Sequence, residues 1–217
     1  MAKQRKLWVL GALILAVGGV TMASNMGFKL TPNFNAGGQQ FTLSLPINSN
    51  YVTLKDLYDD IHTSCGATMN AGKVERIVPS VGGKTRVSWD INGGPGFVIP
   101  VNKTEGYIVA TGSGACTTAV VVGSHDPAYP YSFTSPGLQY LVSIPYHTTA
   151  TTLQDLFNQI GMAGTSGKVE RIVPSVGGKT RVFWDTNGGP GFPIPVTIGE
   201  AYIVVVGSPT TWNPAHY

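Results

Sequence analysis

The segment GKVERIVPSVGGKTRV occupies residues 72–87 and recurs letter for letter at 167–182. Flanking stretches match in the same order: FTLSLP (41–46) with YLVSIP (140–145), TLKDLYDDI (53–61) with TLQDLFNQI (152–160), WDINGGPGFVIPV (89–101) with WDTNGGPGFPIPV (184–196), and EGYIVATGS (105–113) with EAYIVVVGS (200–208). A duplication of this extent governs the whole fold, because one unit must be built twice and the two must tolerate each other. Only buried positions need to match for that. Here Lys73, Glu75, Arg76, Lys84 and Arg86 are repeated along with the valines. Either the duplication is recent or the exposed face is also in use.

Each copy carries clear periodicities. Phe41, Leu43 and Leu45 alternate with polar residues, as do Tyr140, Val142 and Ile144, which predicts a half-buried strand. Leu54, Leu57, Tyr58 and Ile61, and likewise Leu153, Leu156, Phe157 and Ile160, fall at helical spacing. Thr53 and Thr152 stand at the cap position with Asp56 and Asp155 three residues on. KVERIVP and TRVSWD read as two strands joined by a turn at Gly82–Gly83. Asp90 opens a Gly-rich turn, and GYIVATG closes the unit as a buried strand. The expected fold class is mainly β: two tandem sandwich- or barrel-like modules, each with one short α-helix. The modules are placed at 40–116 and 139–217 (the latter with a C-terminal tail), with a strand segment at 24–39 and an inter-module strand and linker at 117–138.

Residues 1–23 read as a secretory leader. Lys3, Arg5 and Lys6 precede the apolar run LWVLGALILAVGGV, and Thr21 and Ala23 sit three and one before a cut at Ala23–Ser24. The alternative is an uncleaved anchor, for which the run is short. Removing the leader takes Lys+Arg from 14 to 11, equal to the 11 Asp+Glu. The mature chain is therefore neutral, which gives no reason to expect nucleic-acid binding and suits self-association. Once the leader is cut, no membrane association is expected. The two cysteines, Cys65 and Cys116, are expected to form a disulfide in an oxidising compartment. The second copy has Gly164 and Thr211 at the matching positions, so it lacks both cysteines together, as expected of a bonded pair.

Little in the chain suggests chemistry. His62, His125, His147 and His216 lie outside the repeated core and do not pair at metal-ligand spacing. No Gly-x-Ser-x-Gly elbow occurs, and the GGPGF loops lead to no helix, so a phosphate cradle is a poor fit. Glu75, Asp90 and Glu105 recur as Glu170, Asp185 and Glu200; an ion pair across the hairpin accounts for Glu75 and a turn for Asp90. No enzyme, cofactor or metal is expected, and a secreted hydrolase is only a remote alternative. Trp89, Trp184, Tyr107, Tyr202 and the pair Tyr129/Tyr131 suit stacking on sugars, although Trp at a strand end is more often core. Asn102-Lys-Thr matches the N-glycosylation pattern.

In order, the strand ending in Leu-Ser-Leu-Pro (Leu43–Pro46), short helix, Trp89–Asp90, Gly93–Phe97 loop and Glu105–Val109 strand resemble a repeat module of bacterial and archaeal secreted surface proteins, whose usual mark at the first strand is Leu-x-Ser-Leu-Pro. That resemblance implies an extracellular β-module. Such modules usually decorate long proteins, whereas two copies fill most of this chain, which favours a subunit.

Met26, Phe28 and Leu30 alternate with Gly27, Lys29 and Thr31 ahead of module one, and TTAVVVGS (117–124) supplies a strand signal between the modules. Copy two is followed by PTTWNPAHY alone, so it is expected to lack the equivalent partner strand. Strand addition from another subunit would supply it and make a head-to-tail polymer. The competing placement folds the first strand back onto its own module. The expectation adopted is a secreted or cell-surface-attached pilus-like filament subunit, its partners identical copies and its assembly strand carried by Met26, Phe28 and Leu30. The alternative is a monomeric adhesin or carbohydrate-binding module with cell-surface or carbohydrate ligands.

Overall fold

The computed structural model describes residues 27–82, 85–124, 126, 129–178, 180–215. The leader, Met26, His125 and His216 lie outside the described residues. In chain order the first half holds β1 (Phe28–Leu30), β2 (Gln39–Leu43), β3 (Asn48–Ser49), α1 (Leu54–Cys65), a 3-10 turn (Gly66–Met69), β4 (Lys73–Ile77), β5 (Ser80–Val81), β6 (Arg86–Asp90), β7 (Tyr107–Ala110) and β8 (Val121–Ser124). The second half holds β9 (Tyr131–Phe133), β10 (Leu138–Ser143), α2 (Leu153–Gln159), β11 (Lys168–Ile172), β12 (Ser175–Val176), β13 (Arg181–Asp185), β14 (Ala201–Val205) and β15 (Thr210–Trp212). The chain is mainly β with short helices, as its periodicities indicate.

Each module is an antiparallel sheet with a helix on one face, ordered β2-β7-β4-β6 in the first and β10-β14-β11-β13 in the second. Both helices start with a complete capping box. The Asp56 N–H donates to Thr53 Oγ1 at 3.2 Å and the Thr53 N–H to Asp56 Oδ2 at 2.8 Å; Thr152 and Asp155 repeat the pair at 3.1 and 2.9 Å. Leu54, Leu57, Tyr58 and Ile61 then point into one core, and Leu153, Leu156 and Phe157 into the other. The verbatim segment begins 19 residues after Thr53 but 15 after Thr152. Copy two therefore lacks about one helical turn. That missing turn is the one that carries Cys65.

A third core lies between the two sheets and is made by Ile77, Ile108, Leu141, Ile172, Ala201, Ile203 and Val205. It corrects the half-buried expectation for the first strand of each copy. Thr42, Ser44 and Ser143 on the polar side are buried too, because the other module covers them. The two serines are satisfied by backbone across the interface. Ser44 Oγ donates to the Ile144 carbonyl (3.0 Å) and accepts from its N–H (2.8 Å). Ser143 Oγ accepts from the Leu45 N–H (2.9 Å) and donates to the Glu105 carbonyl (2.7 Å). The serine before Leu45-Pro46, and its match before Ile144-Pro145, is thus a contact between modules.

The link between KVERI and RVSWD is also more than a turn. Residues 78–82 form an arm bearing β5, which pairs across the interface with β10 (Val81 opposite Leu138). The second copy reciprocates, β12 pairing with β2 (Val176 opposite Gln39). Each five-stranded sheet therefore ends in a strand lent by the other module. This gives the verbatim stretch a second constraint besides its own core: its tip must fit the partner module.

Candidate assembly site

The segment ahead of module one lies in a slot that both modules build. Phe28, Lys29 and Leu30 pair antiparallel with Gly123, Val122 and Val121 of β8, and β8 pairs on its other side with β3. A side chain at Gly123 would meet the Asn48 carbonyl within 2.9 Å, so glycine lets β8 lie flat on the Pro46 turn. The floor is the meeting point of the two Ser-x-Pro stretches, Ser44–Ile47 and Ile144–Tyr146, with Gly199 at its side. The Phe28 ring stacks on Tyr146 with centroids 3.7 Å apart and planes within 7°. Leu30 crowds Gly199, where a Cβ would come within 2.8 Å of Leu Cδ1. Lys29 faces solvent. The alternation predicted for Phe28 and Leu30 therefore matches their burial; Met26 lies outside the described residues.

Behind the slot the chain is anchored. Phe34, which is buried, exchanges both backbone hydrogen bonds with Cys116, at 3.0 and 2.7 Å. Cys116 is disulfide-bonded to Cys65, the last residue of α1. The bridge therefore joins the helix end to this Phe34 contact rather than to the end of β7. Thr31–Asn33 form the tether between slot and anchor.

The expected vacancy beside module two is filled. Thr210–Trp212 of the tail form β15 and pair with β9 of the linker, so the tail does supply a partner strand. Tyr131 and Trp212 close this corner with ring centroids 4.8 Å apart, where module one has its disulfide. Their buried hydroxyl and indole N–H have no hydrogen-bond partner among the described residues. Sequence reasoning missed this strand because TTW is short and lies between Pro209 and Asn213-Pro214. Its Thr-Thr-Trp composition was the available signal.

The remaining candidates have structural settings. Glu75 is buried against Lys73 (2.9 Å) and Arg86 (3.5 Å), and Glu170 against Lys168 (2.6 Å) and Arg181 (3.0 Å). Arg76 grips Glu105 with two guanidinium nitrogens, and Arg171 grips Glu200 in the same way. The Glu105 hydrogen bond holds the Arg76 guanidinium above its ordinary value. Tyr107 and Tyr202 are buried, which pushes their hydroxyls well up; they accept the Asn102 and Thr197 N–H groups at 2.8 and 2.6 Å. Asp90 accepts the Asn92 N–H (2.8 Å) as a turn starter. Trp89 and Trp184 pack against the cores, while Phe97, Phe183 and Phe192 are exposed. Asn102 lies half-buried in the loop before β7. His62 meets Asn70 at 3.1 Å. Among the described residues no three His, Cys, Asp or Glu side chains are grouped to hold a metal, and no helix is long and apolar enough to cross a membrane. Compared with protein-family models, characterised proteins and solved structures, the chain has no match.

Proposed function

We propose that this is a secreted structural protein, the repeating subunit of an extracellular filament in which residues 27–31 of one copy occupy the slot of the next. The observation that carries the reading is the way β1 is held. It is a three-residue edge strand seated by two side chains, outside all three cores apart from a peripheral contact of Leu30, and joined to its anchor by a short tether. β8 keeps β3 as a neighbour without it, so vacating the slot leaves module one paired. A neighbour's β1 would make the same backbone pairs and bury the same Phe and Leu, each contributing roughly 1.5–3 kcal/mol before association costs. With the contacts equal, raising the concentration shifts the balance from the chain's own strand to a neighbour's. The leader-like residues 1–23 and the disulfide support export.

The test is negative-stain microscopy and light scattering of the mature protein. Wild type is expected to form fibres. Phe28→Asp, which places a charge against Tyr146, and deletion of residues 24–31 are expected to give folded, non-polymerising protein. A peptide of residues 24–34 should cap growing ends. Fibres from the deletion variant would refute the connector. The adhesin reading draws on exposed Phe97, Phe183 and Phe192 at the sheet rims, and glycan binding by protein that never polymerises would favour it.

A further inference from the structure

The contact between the two modules has the construction of an interface between separate molecules, and we infer that it also joins different copies of this chain by module exchange. Three observations converge. The arms that cross it are identical in sequence, and each pairs with the first strand of the opposite module in the same register, Ser80–Val81 on Leu138–Gln139 and Ser175–Val176 on Gln39–Gln40. The backbone bonds are likewise reciprocal: the Ser44 N–H donates to the Gly199 carbonyl (2.8 Å) and the Ser143 N–H to the Thr104 carbonyl (2.9 Å). The surfaces also fit by size where Gly106 meets Ala201. A Cβ on Gly106 would overlap the Cβ of Ala201 and come within 3.2 Å of Leu141 Cγ. At three matched positions the second copy carries the larger residue, Gly106 against Ala201, Thr42 against Leu141 and Ala110 against Val205, while Ile77/Ile172 and Ile108/Ile203 are identical and Thr104 is larger than Gly199. Two second modules would set alanine against alanine at the first of these, with Cβ atoms 2.2 Å apart. A first module therefore pairs with a second one.

Nothing in that fit requires both modules to belong to one chain. The strand β8 stays with module one through β3, and β9 stays with module two through β15. The only covalent connection between them is residues 125–130. A first module that binds the second module of another copy satisfies every interface group met in its own chain. What differs is only the effective concentration, which favours the closed single chain when dilute and the exchanged form when concentrated. Because pairing is first to second, exchange between two chains closes a dimer, and continued exchange gives an open series. This contact forms the floor of the β1 slot but does not need β1 to be exchanged, and it does not rest on the filament reading.

The test uses full mature chains. Val81 is 77% exposed and lies opposite Leu138, so Val81→Cys and Leu138→Cys place two thiols across the arm contact. The double variant serves as the geometric control and should give a covalently closed monomer when dilute. The two single variants, differently tagged, are mixed, concentrated through a cycle of partial denaturation and refolding, and oxidised. Exchange predicts a 81–138 heterolinked band that grows with concentration and outweighs both homolinked bands, and a shift of the double variant from monomer to a ladder on non-reducing gels. Monomer-only products from the double variant at high concentration, or heterolinks no more abundant than homolinks, overturn the inference. Repeating the experiment in Phe28→Asp separates the two contacts. In that variant, heterolinks without fibres leave exchange standing and the β1 connector to account for the wild-type fibres. Absence of both heterolinks and fibres removes exchange and leaves the filament reading intact; fibres without heterolinks overturn both.

Discussion

Two threonines and two aspartates set the helices in place. The backbone N–H of Thr53 holds the Asp56 carboxyl below the usual carboxylate range. Asp155 is also held low: desolvation pushes it up, but hydrogen bonds from Thr151 and Thr152 outweigh that. A carboxylate favoured in the folded state contributes stability that is present above its unfolded pKa and lost as pH falls through the lower folded one. Acid titration should therefore weaken both helix starts below about pH 4, in the carboxylate range. Asp56→Asn/Asp155→Asn should flatten that part of the curve when thermal unfolding is followed against pH. Thr53→Ala or Thr152→Ala should each cost about 1 kcal/mol in urea unfolding. Glu75 has two cations beside it and little solvent. Glu75→Gln should therefore lower stability by about 1–3 kcal/mol by leaving Arg86 short of its partner, with the change appearing in the melt.

At the level of elements, the same corner is closed in two ways. Module one uses the extra helical turn to bring Cys65 to Cys116, across 51 residues of sequence; module two has the shorter helix and puts Trp212 on Tyr131. Reduction, or Cys65→Ser/Cys116→Ser, should cost roughly 4 kcal/mol in the chain-entropy account of cross-links. Trp212→Ala should cost about 3–5 kcal/mol by emptying a large buried site. Hydrogen exchange should assign the first loss to module one and the second to module two. Much of this was legible in the sequence. Capped, strongly periodic helices and the verbatim strands declare themselves locally, and the paired absence of cysteines from copy two pointed to the bridge. The arms were not legible, because Pro-Ser-Val-Gly-Gly reads as a turn until the strand it meets is known. Nor was the burial of Ser44 and Ser143: a polar residue alternating with apolar ones looks solvent-facing unless a second sheet supplies its hydrogen-bond partners. The slot was half legible. Phe28 and Leu30 showed their alternation, while Tyr146 and Gly199 gave no sign, since both become its walls only when the modules meet.

For the whole molecule, the fit of Gly106 against Ala201 is a direct test of how the halves recognise each other. Gly106→Ala should destabilise the chain by about 1–3 kcal/mol through overpacking, and Ala201→Gly added to it should recover much of that loss, a coupling visible in a double-mutant cycle of urea unfolding. The anchor at Phe34 has a mechanical consequence as well. In a fibre joined as proposed, a pull on one copy enters through Thr31–Asn33, reaches Cys116 across its paired bonds with Phe34, and leaves along residues 117–123 into the strand that grips the next copy. That backbone line of force runs through module one, bolted at Cys65, while module two enters it only at the grip, through Tyr146 and Gly199 against the incoming strand. Such a fibre is a cable whose continuous loaded strand belongs to module one, and cutting the bolt should lower its breaking force while leaving its length and appearance unchanged.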